Sequence, residues 1–233
     1  MNQVITSSEI KTNLAKITMA VKAAAGGRNV EIVAVSKNQP LTVLEAAYEA
    51  GIRYFGENKG QEVRDKKIFF AKDGLRLYFI GRLQENKIKY LVENCFLIQS
   101  IDSIALLSAV DSVFEKNKKQ IRVLLQVNSS NETSKAGFDP EEVKDAWRKA
   151  LTFKNVKLCG LMTIGAHSSE ESAVEESFKV ASSLFKEISA QYEEAKILSM
   201  GMTDDYLLAL KYNSNMLRIG RAIFSRSEGG EAQ

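Results

Sequence analysis

The chain has 233 residues, 45% of them hydrophobic and 26% charged, with a net charge of +3, one histidine and two cysteines. That balance suits one large domain with an ordinary buried core. It excludes several classes: the mild charge leaves no nucleic-acid footprint, a single histidine gives zinc little to bind, and no apolar run approaches a membrane span.

The opening MNQVITSSEIKTNL lacks an apolar core behind a basic start, so no signal peptide is expected and the location is read as cytoplasmic. Thr6-Ser7-Ser8-Glu9 reads as a capping box opening an amphipathic helix over about residues 7–25. VEIVAVS (30–36), rich in β-branched residues, predicts a buried strand, followed by a helix at LTVLEAAYEAG. RYFGE (53–57) is a second strand, and the charged stretch near 61–72 is helical. LRLYFIG (75–81) precedes a helical NKIKYLVEN, and FLIQSI (96–101) precedes SIALLSAVDSVFEKN. The lysines of FEKNKKQ (114–120) form a solvated helix end, with no aromatic residues between them for base stacking.

IRVLLQVN (121–128) leads to a helix at PEEVKDAWRKALT. KLCGLMTI (157–164) leads through a polar loop holding His167 to the long helical stretch of residues 170–195. KILSMG (196–201), the helical DDYLLALKYN and the strand MLRIGRAIF (216–224) complete the chain. Cys95 and Cys159 lie inside apolar strands, so buried free thiols in a reducing compartment are expected. Residues 1–226 read as one domain and 227–233 as a flexible tail.

Eight strands alternating with helices predict a single (β/α)8 TIM barrel. A doubly wound open sheet also alternates, but no GxGxxG follows the first strand, and Gly51, Gly56 and Gly60 do not reproduce it. In a barrel the C-terminal strand ends converge on the functional face. Lys37 stands there after strand one, where partial desolvation by the walls would make its amine nucleophilic, as a Schiff base with an aldehyde requires. After the last two strands, Ser199 offers a hydroxyl, while Gly201 and Gly220 let a phosphate approach backbone N–H groups. Tight βα turns also favour glycine, so that cup is one of two readings. Strand alternation puts Arg218 on the same side as Gly220, facing the mouth. There it meets a ligand nitrogen or carboxylate, or else pairs with Asp102 or Glu57. An amine, a phosphate cup and a guanidinium together describe pyridoxal 5′-phosphate.

AVSKNQP, YFGENKGQE, LYFIGRLQENK, LLQVNSSNETSKAGF, GLMTIG, LSMGMTDDY and MLRIGRAIF resemble, in that order, the motifs of the pyridoxal phosphate homeostasis protein family. The resemblance spans about residues 30–224 and implies an alanine-racemase N-terminal-type barrel with pyridoxal 5′-phosphate on Lys37. It carries over Ser199, Arg218 and Gly220 as cofactor-binding residues and Asn58 as a pocket residue. Three positions depart from the family pattern. Arg82 stands where histidine or proline is usual, Arg221 replaces a threonine and is expected to add charge at the phosphate, and Ser225 replaces a glycine.

The resulting expectation is a cofactor carrier in vitamin B6 homeostasis without robust catalysis, with pyridoxal phosphate-dependent apo-enzymes as possible recipients. An amino-acid racemase on the same cofactor is the enzymatic alternative. Racemisation needs two bases, and the relatives' second base is a tyrosine from an additional domain that is not expected here. The same absence removes a racemase-type reason to dimerise, so a monomer is expected. A phosphosugar aldolase also uses a barrel lysine, but no motif supports it.

Overall fold

A computed structural model describes residues 5–130, 132, 136–168 and 170–226. The expected tail at 227–233 and part of the NSSNETSK motif lie outside the described residues. Among the described residues no helix is long and apolar enough to cross a membrane.

The strands are β1 (Glu31–Val35), β2 (Tyr54–Glu57), β3 (Arg76–Phe79), β4 (Cys95–Ile101), β5 (Ile121–Val127), β6 (Val156–Thr163), β7 (Ile197–Ser199) and β8 (Met216–Ile219). They pair in parallel and in sequence order as a closed barrel, the predicted (β/α)8 architecture. β1 closes on β8 with Val33 opposite Arg218 and Ala34 opposite Ile219. This pairing puts the Lys37 strand beside the Arg218 strand.

The helices are α1 (Ser7–Ala24), α2 (Leu41–Glu49), α3 (Gly60–Asp65), α4 (Lys67–Phe70), α5 (Ile104–Lys116), α6 (Val143–Ala150), α7 (Glu171–Ser189), α8 (Tyr206–Lys211) and α9 (Arg221–Phe224). The charged stretch after β2 therefore breaks into two short helices. The segment expected as a helix at 86–94 is a 3-10 helix, Glu85–Tyr90.

α1 starts where the capping box predicts: Thr6 Oγ1 accepts from Glu9 N–H, and Glu9 in turn accepts from Thr6 N–H. Its buried stripe is Ile10, Asn13, Ile17 and Val21. Asn13 is the exception on that apolar face, and its Nδ2 donates to the carbonyls of Ile223 (3.1 Å) and Ser225 (2.9 Å). The first helix thus holds the last one.

Inside the barrel, Val33, Tyr78, Leu97, Leu124, Met162 and Met216 form a packed layer. Such a filled interior forces any ligand onto an end of the barrel. The N-terminal end is sealed by Tyr78 donating to Glu31 (2.6 Å) and by Arg76 and Arg122 lying over the Phe96 ring at 4.4 and 4.6 Å. Burial pushes the Glu31 carboxyl up, and the Tyr78 contact only partly offsets it. The C-terminal end stays open.

Three expectations need correction. Strand eight stops at Ile219 instead of running to 224, because Gly220 leaves the extended region (φ −111°, ψ −82°) and its carbonyl accepts from Ile223 and Phe224, starting α9. Strand seven ends at Ser199 because Gly201 turns with φ +97°, a conformation natural to glycine. Cys95 and Cys159 are free but only partly buried, and burial pushes the Cys95 thiol up to about 12.

Candidate functional site

The open end holds a cavity of about 520 Å³. Lys37, Asn58, Arg218, Gly220 and Arg221 all line it, so five of the seven residues expected from the sequence meet on one surface. The strand-end geometry brings them together although they are up to 184 positions apart (221 − 37).

Lys37 follows β1 by two positions and is exposed at the mouth; the barrel walls do not bury it as the sequence reading expected. Among the described residues, no hydrogen bond or ion pair engages its amine. Its neighbours in the chain are held firmly. Ser36 is fully buried, with its N–H on the Gly56 carbonyl (3.0 Å) and its Oγ on Glu57 Oε1 (2.8 Å). Asn38 adopts φ +60°, a region asparagine tolerates, and its N–H donates to Glu62 Oε2 (3.0 Å).

Asn58 sits between β2 and α3 with a buried Oδ1 that has no hydrogen-bond partner. An orphaned acceptor on a cavity wall is a place for a ligand donor. Gly81 brings the β3 end against it: a Cβ there would lie 2.2 Å from the Asn58 carbonyl oxygen, so the close approach requires glycine.

Arg218, on β8, is 4% exposed. Its Nη1 donates to Ser199 Oγ (2.7 Å) and its Nη2 to the Thr163 carbonyl (2.8 Å). Neither Asp102 nor Glu57 pairs with it; the counter-charge that acts on it is Asp205, on the turn before α8. Burial pulls the guanidinium down to about 10, partly offset by Asp205. Asp205 is itself raised by burial, against the opposing pull of the Met202 N–H and Arg218.

Ser199 and Gly201 do not line the cavity. The Ser199 hydroxyl, expected at a phosphate, is fully buried and donates to Gln99 Oε1 (2.7 Å) while accepting from Arg218. Its work here is to hold the arginine. Gly201 packs under α8, where a Cβ would lie 2.7 Å from Ala209 Cβ.

Gly220 behaves differently. A Cβ there would meet only Val35, at 3.4 Å, so protein packing does not demand glycine. The next N–H groups, of Arg221 and Ala222, begin α9 and have no acceptor within it. The Arg221 side chain is exposed and paired with Asp204 on the cavity rim. Arg82 also lines the mouth. Gln99 escaped the sequence reading; its signal was a lone amide in the apolar run FLIQSI, at the same strand parity as the inward Leu97.

A free amine, an unpaired amide oxygen, a buried guanidinium and unpaired N–H groups beside an open glycine fit an aldehyde-bearing heterocyclic phosphate. Comparisons with known proteins agree with that chemistry. The family described as "Alanine racemase, N-terminal domain" matches residues 5–228. A pyridoxal phosphate homeostasis protein of Schizosaccharomyces pombe is 39% identical over 220 residues, covering 93% of this chain and 92% of that protein. One of Helicobacter pylori is 40% identical over 217 residues, covering 92% and 96%. Among solved structures, PipY of Synechococcus elongatus with PLP bound superposes with a TM-score of 0.81 at 28% identity, covering 93% of this chain and all of that one. Alanine racemase of Clostridium difficile shares the fold (TM-score 0.75, 15% identity), with this chain covering 57% of it.

Proposed function

The chain belongs to the pyridoxal phosphate homeostasis protein family, built on the alanine racemase N-terminal domain, and on that premise we propose that it binds pyridoxal 5′-phosphate and serves as a carrier in vitamin B6 homeostasis. The observation that carries the reading is the pairing, on one cavity, of an unengaged Lys37 amine with a buried Arg218. When bound, the cofactor supplies an aldehyde, and Lys37 holds it as a Schiff base. The N–H groups of Gly220, Arg221 and Ala222 receive the phosphate, Asn58 accepts a ligand donor, and Arg218 faces the ring nitrogen. An always-charged donor there discourages protonation of the ring and weakens its pull on electrons at Cα.

One observation favours a carrier over a racemase. No tyrosine, histidine or cysteine lines the cavity among the described residues. Tyr48 lies outside, its hydroxyl on the Asp73 carbonyl, and Tyr54 packs edge-on against Tyr78. Among the described residues Lys37 therefore has no tyrosine, histidine or cysteine on the cavity to act as the second base that a two-base racemisation needs, and the rim carboxylate, Asp204, is paired with Arg221. We place the protein as a monomer handing the cofactor to dependent apo-enzymes.

The test is borohydride reduction of the cofactor-loaded protein followed by peptide mapping. A pyridoxyl group on Lys37 is expected; an adduct elsewhere, or none, overturns the assignment. Chiral chromatography of alanine, serine and glutamate tests the carrier reading, and turnover near 1 s⁻¹ or faster would make the protein an enzyme.

A further inference from the structure

The residues on either side of Lys37 are each tied to a different carboxylate. Ser36 Oγ donates to Glu57, at the end of β2, and Asn38 N–H donates to Glu62, on α3. These two carboxylates share one cation: Lys66 Nζ lies 3.0 Å from Glu57 Oε1 and 2.8 Å from Glu62 Oε2. The Lys66 side chain is only 12% exposed and that of Glu57 is fully buried. Lys59 adds a bond to Asn38 Oδ1 at 3.2 Å. The chain around Lys37 is thus gripped before and after it, while Lys37 itself is left free.

Stability alone explains this arrangement poorly. Burying a charged triad gains little over apolar packing, because desolvation offsets the attraction. Here Glu57 Oε2 is also buried without a partner. A group so incompletely satisfied is better accounted for by the geometry it imposes. Among the described residues, the segment that both carboxylates hold, besides Lys66 itself, is residues 36–38.

We infer that Lys66, by bridging Glu57 and Glu62, is a positioning residue that fixes the backbone on both sides of Lys37 and aims its amine into the cavity. The inference rests on the reading above, in which the Lys37 amine condenses with an aldehyde and releases one water. Angular freedom of the amine slows that capture, whereas it leaves untouched the groups that hold the rest of the ligand.

The experiment compares pyridoxal 5′-phosphate, trapped on Lys37 by borohydride at timed intervals, with pyridoxine 5′-phosphate, whose alcohol cannot condense. Lys66→Met is expected to slow adduct formation by on the order of tenfold or more. Its equilibrium affinity for pyridoxine 5′-phosphate should stay unchanged, and Lys66→Arg, which keeps a bridging cation, should restore the capture rate. Capture at the wild-type rate in Lys66→Met overturns the inference, and so does an equal loss of pyridoxine 5′-phosphate affinity, which marks a general loosening of the site. No Lys37 adduct in the wild type overturns the cofactor reading and this inference with it. Should Lys66→Met fail to fold with Glu57 left unpaired, Glu62→Ala carries the test. It frees the Asn38 N–H while Lys66 still neutralises Glu57, so slower capture with intact pyridoxine 5′-phosphate binding is expected and wild-type capture is the overturning result.

Discussion

Lys37, just after β1, and Arg218, on the adjacent β8, stand at one end of the barrel, and the fold treats the two cations in opposite ways. The arginine is buried and bonded to Ser199 and Thr163, with Gln99 behind the serine. The lysine is exposed and its amine unengaged, while the charged groups around it hold its two chain neighbours, Ser36 and Asn38. The difference follows from what each can offer a ligand. A guanidinium acts by fixed hydrogen-bond direction, so it gains from being locked before the ligand arrives. An amine that must form a bond cannot have its lone pair or its protons committed elsewhere, so only its attachment is fixed.

The comparison breaks most easily at the arginine. Arg218→Glu would put a buried carboxylate beside the Thr163 carbonyl and near Asp205, and should cost about 4 kcal/mol or more in urea unfolding. A variant as stable as the wild type would mean that the arginine cage contributes nothing. Ser199→Ala tests the cage more gently, removing one acceptor from Arg218 and one donor from Gln99, for an expected loss of about 1–3 kcal/mol.

The lysine side is tested through Glu57, whose carboxyl burial raises above its ordinary value despite the Lys66 ammonium and the Ser36 hydroxyl; the Glu62 charge adds to the rise. Burial also acts on Glu62, but Lys66 and the Asn38 N–H outweigh it and hold that carboxyl below the ordinary value. A carboxyl raised on folding binds its proton more tightly in the native state. Its contribution is therefore complete below the unfolded value and is lost as pH climbs through the raised native one. Glu57→Gln removes that loss, so the variant should gain on the wild type in melting temperature as pH rises above the ordinary carboxylate value. Parallel profiles would contradict the assigned direction. The smallest effect on stability is expected at Lys37 itself. Lys37→Ala should shift unfolding by less than about 0.5 kcal/mol while abolishing the borohydride-trapped adduct. A large destabilisation would mean that the amine is structurally engaged after all.

Much of this was legible in the sequence because it is written locally. β-branched runs at VEIVAVS and IRVLLQVN alternate with amphipathic stretches, and that rhythm, with no GxGxxG after the first strand to favour an open sheet, leads to the closed barrel. Lys37, Asn58, Arg218 and Gly220 could be placed because strand ends in a barrel face one way. Local pattern did not reveal where MLRIGRAIF breaks: RAIF has strand-like composition, and only the backbone at Gly220 turns it into α9. The partners of the Ser199 hydroxyl were hidden for a related reason. Its partner Gln99 lies 100 residues away, and which hydroxyl faces the cavity is decided by that distant contact. The Lys66 bridge escaped notice because lysines in a charged stretch look alike until one is buried.

The bonds from Asn13 to Ile223 and Ser225 have a consequence for biosynthesis. The first helix leaves the ribosome with a polar amide on its apolar face, and the acceptors for that amide are 210 and 212 residues from being made. β1 is about 185 residues ahead of β8, so the strand that ends near Lys37 stays an unpaired edge on that side until β8 is made. Pairings so distant in sequence make for slow closure. A nascent chain therefore carries Lys37 from the start but cannot assemble a cavity around it until the last strand and helix have emerged. Cofactor capture becomes a late event, tied to completion of the fold, and a prematurely terminated chain would present the lysine without the arginine that faces the same cavity.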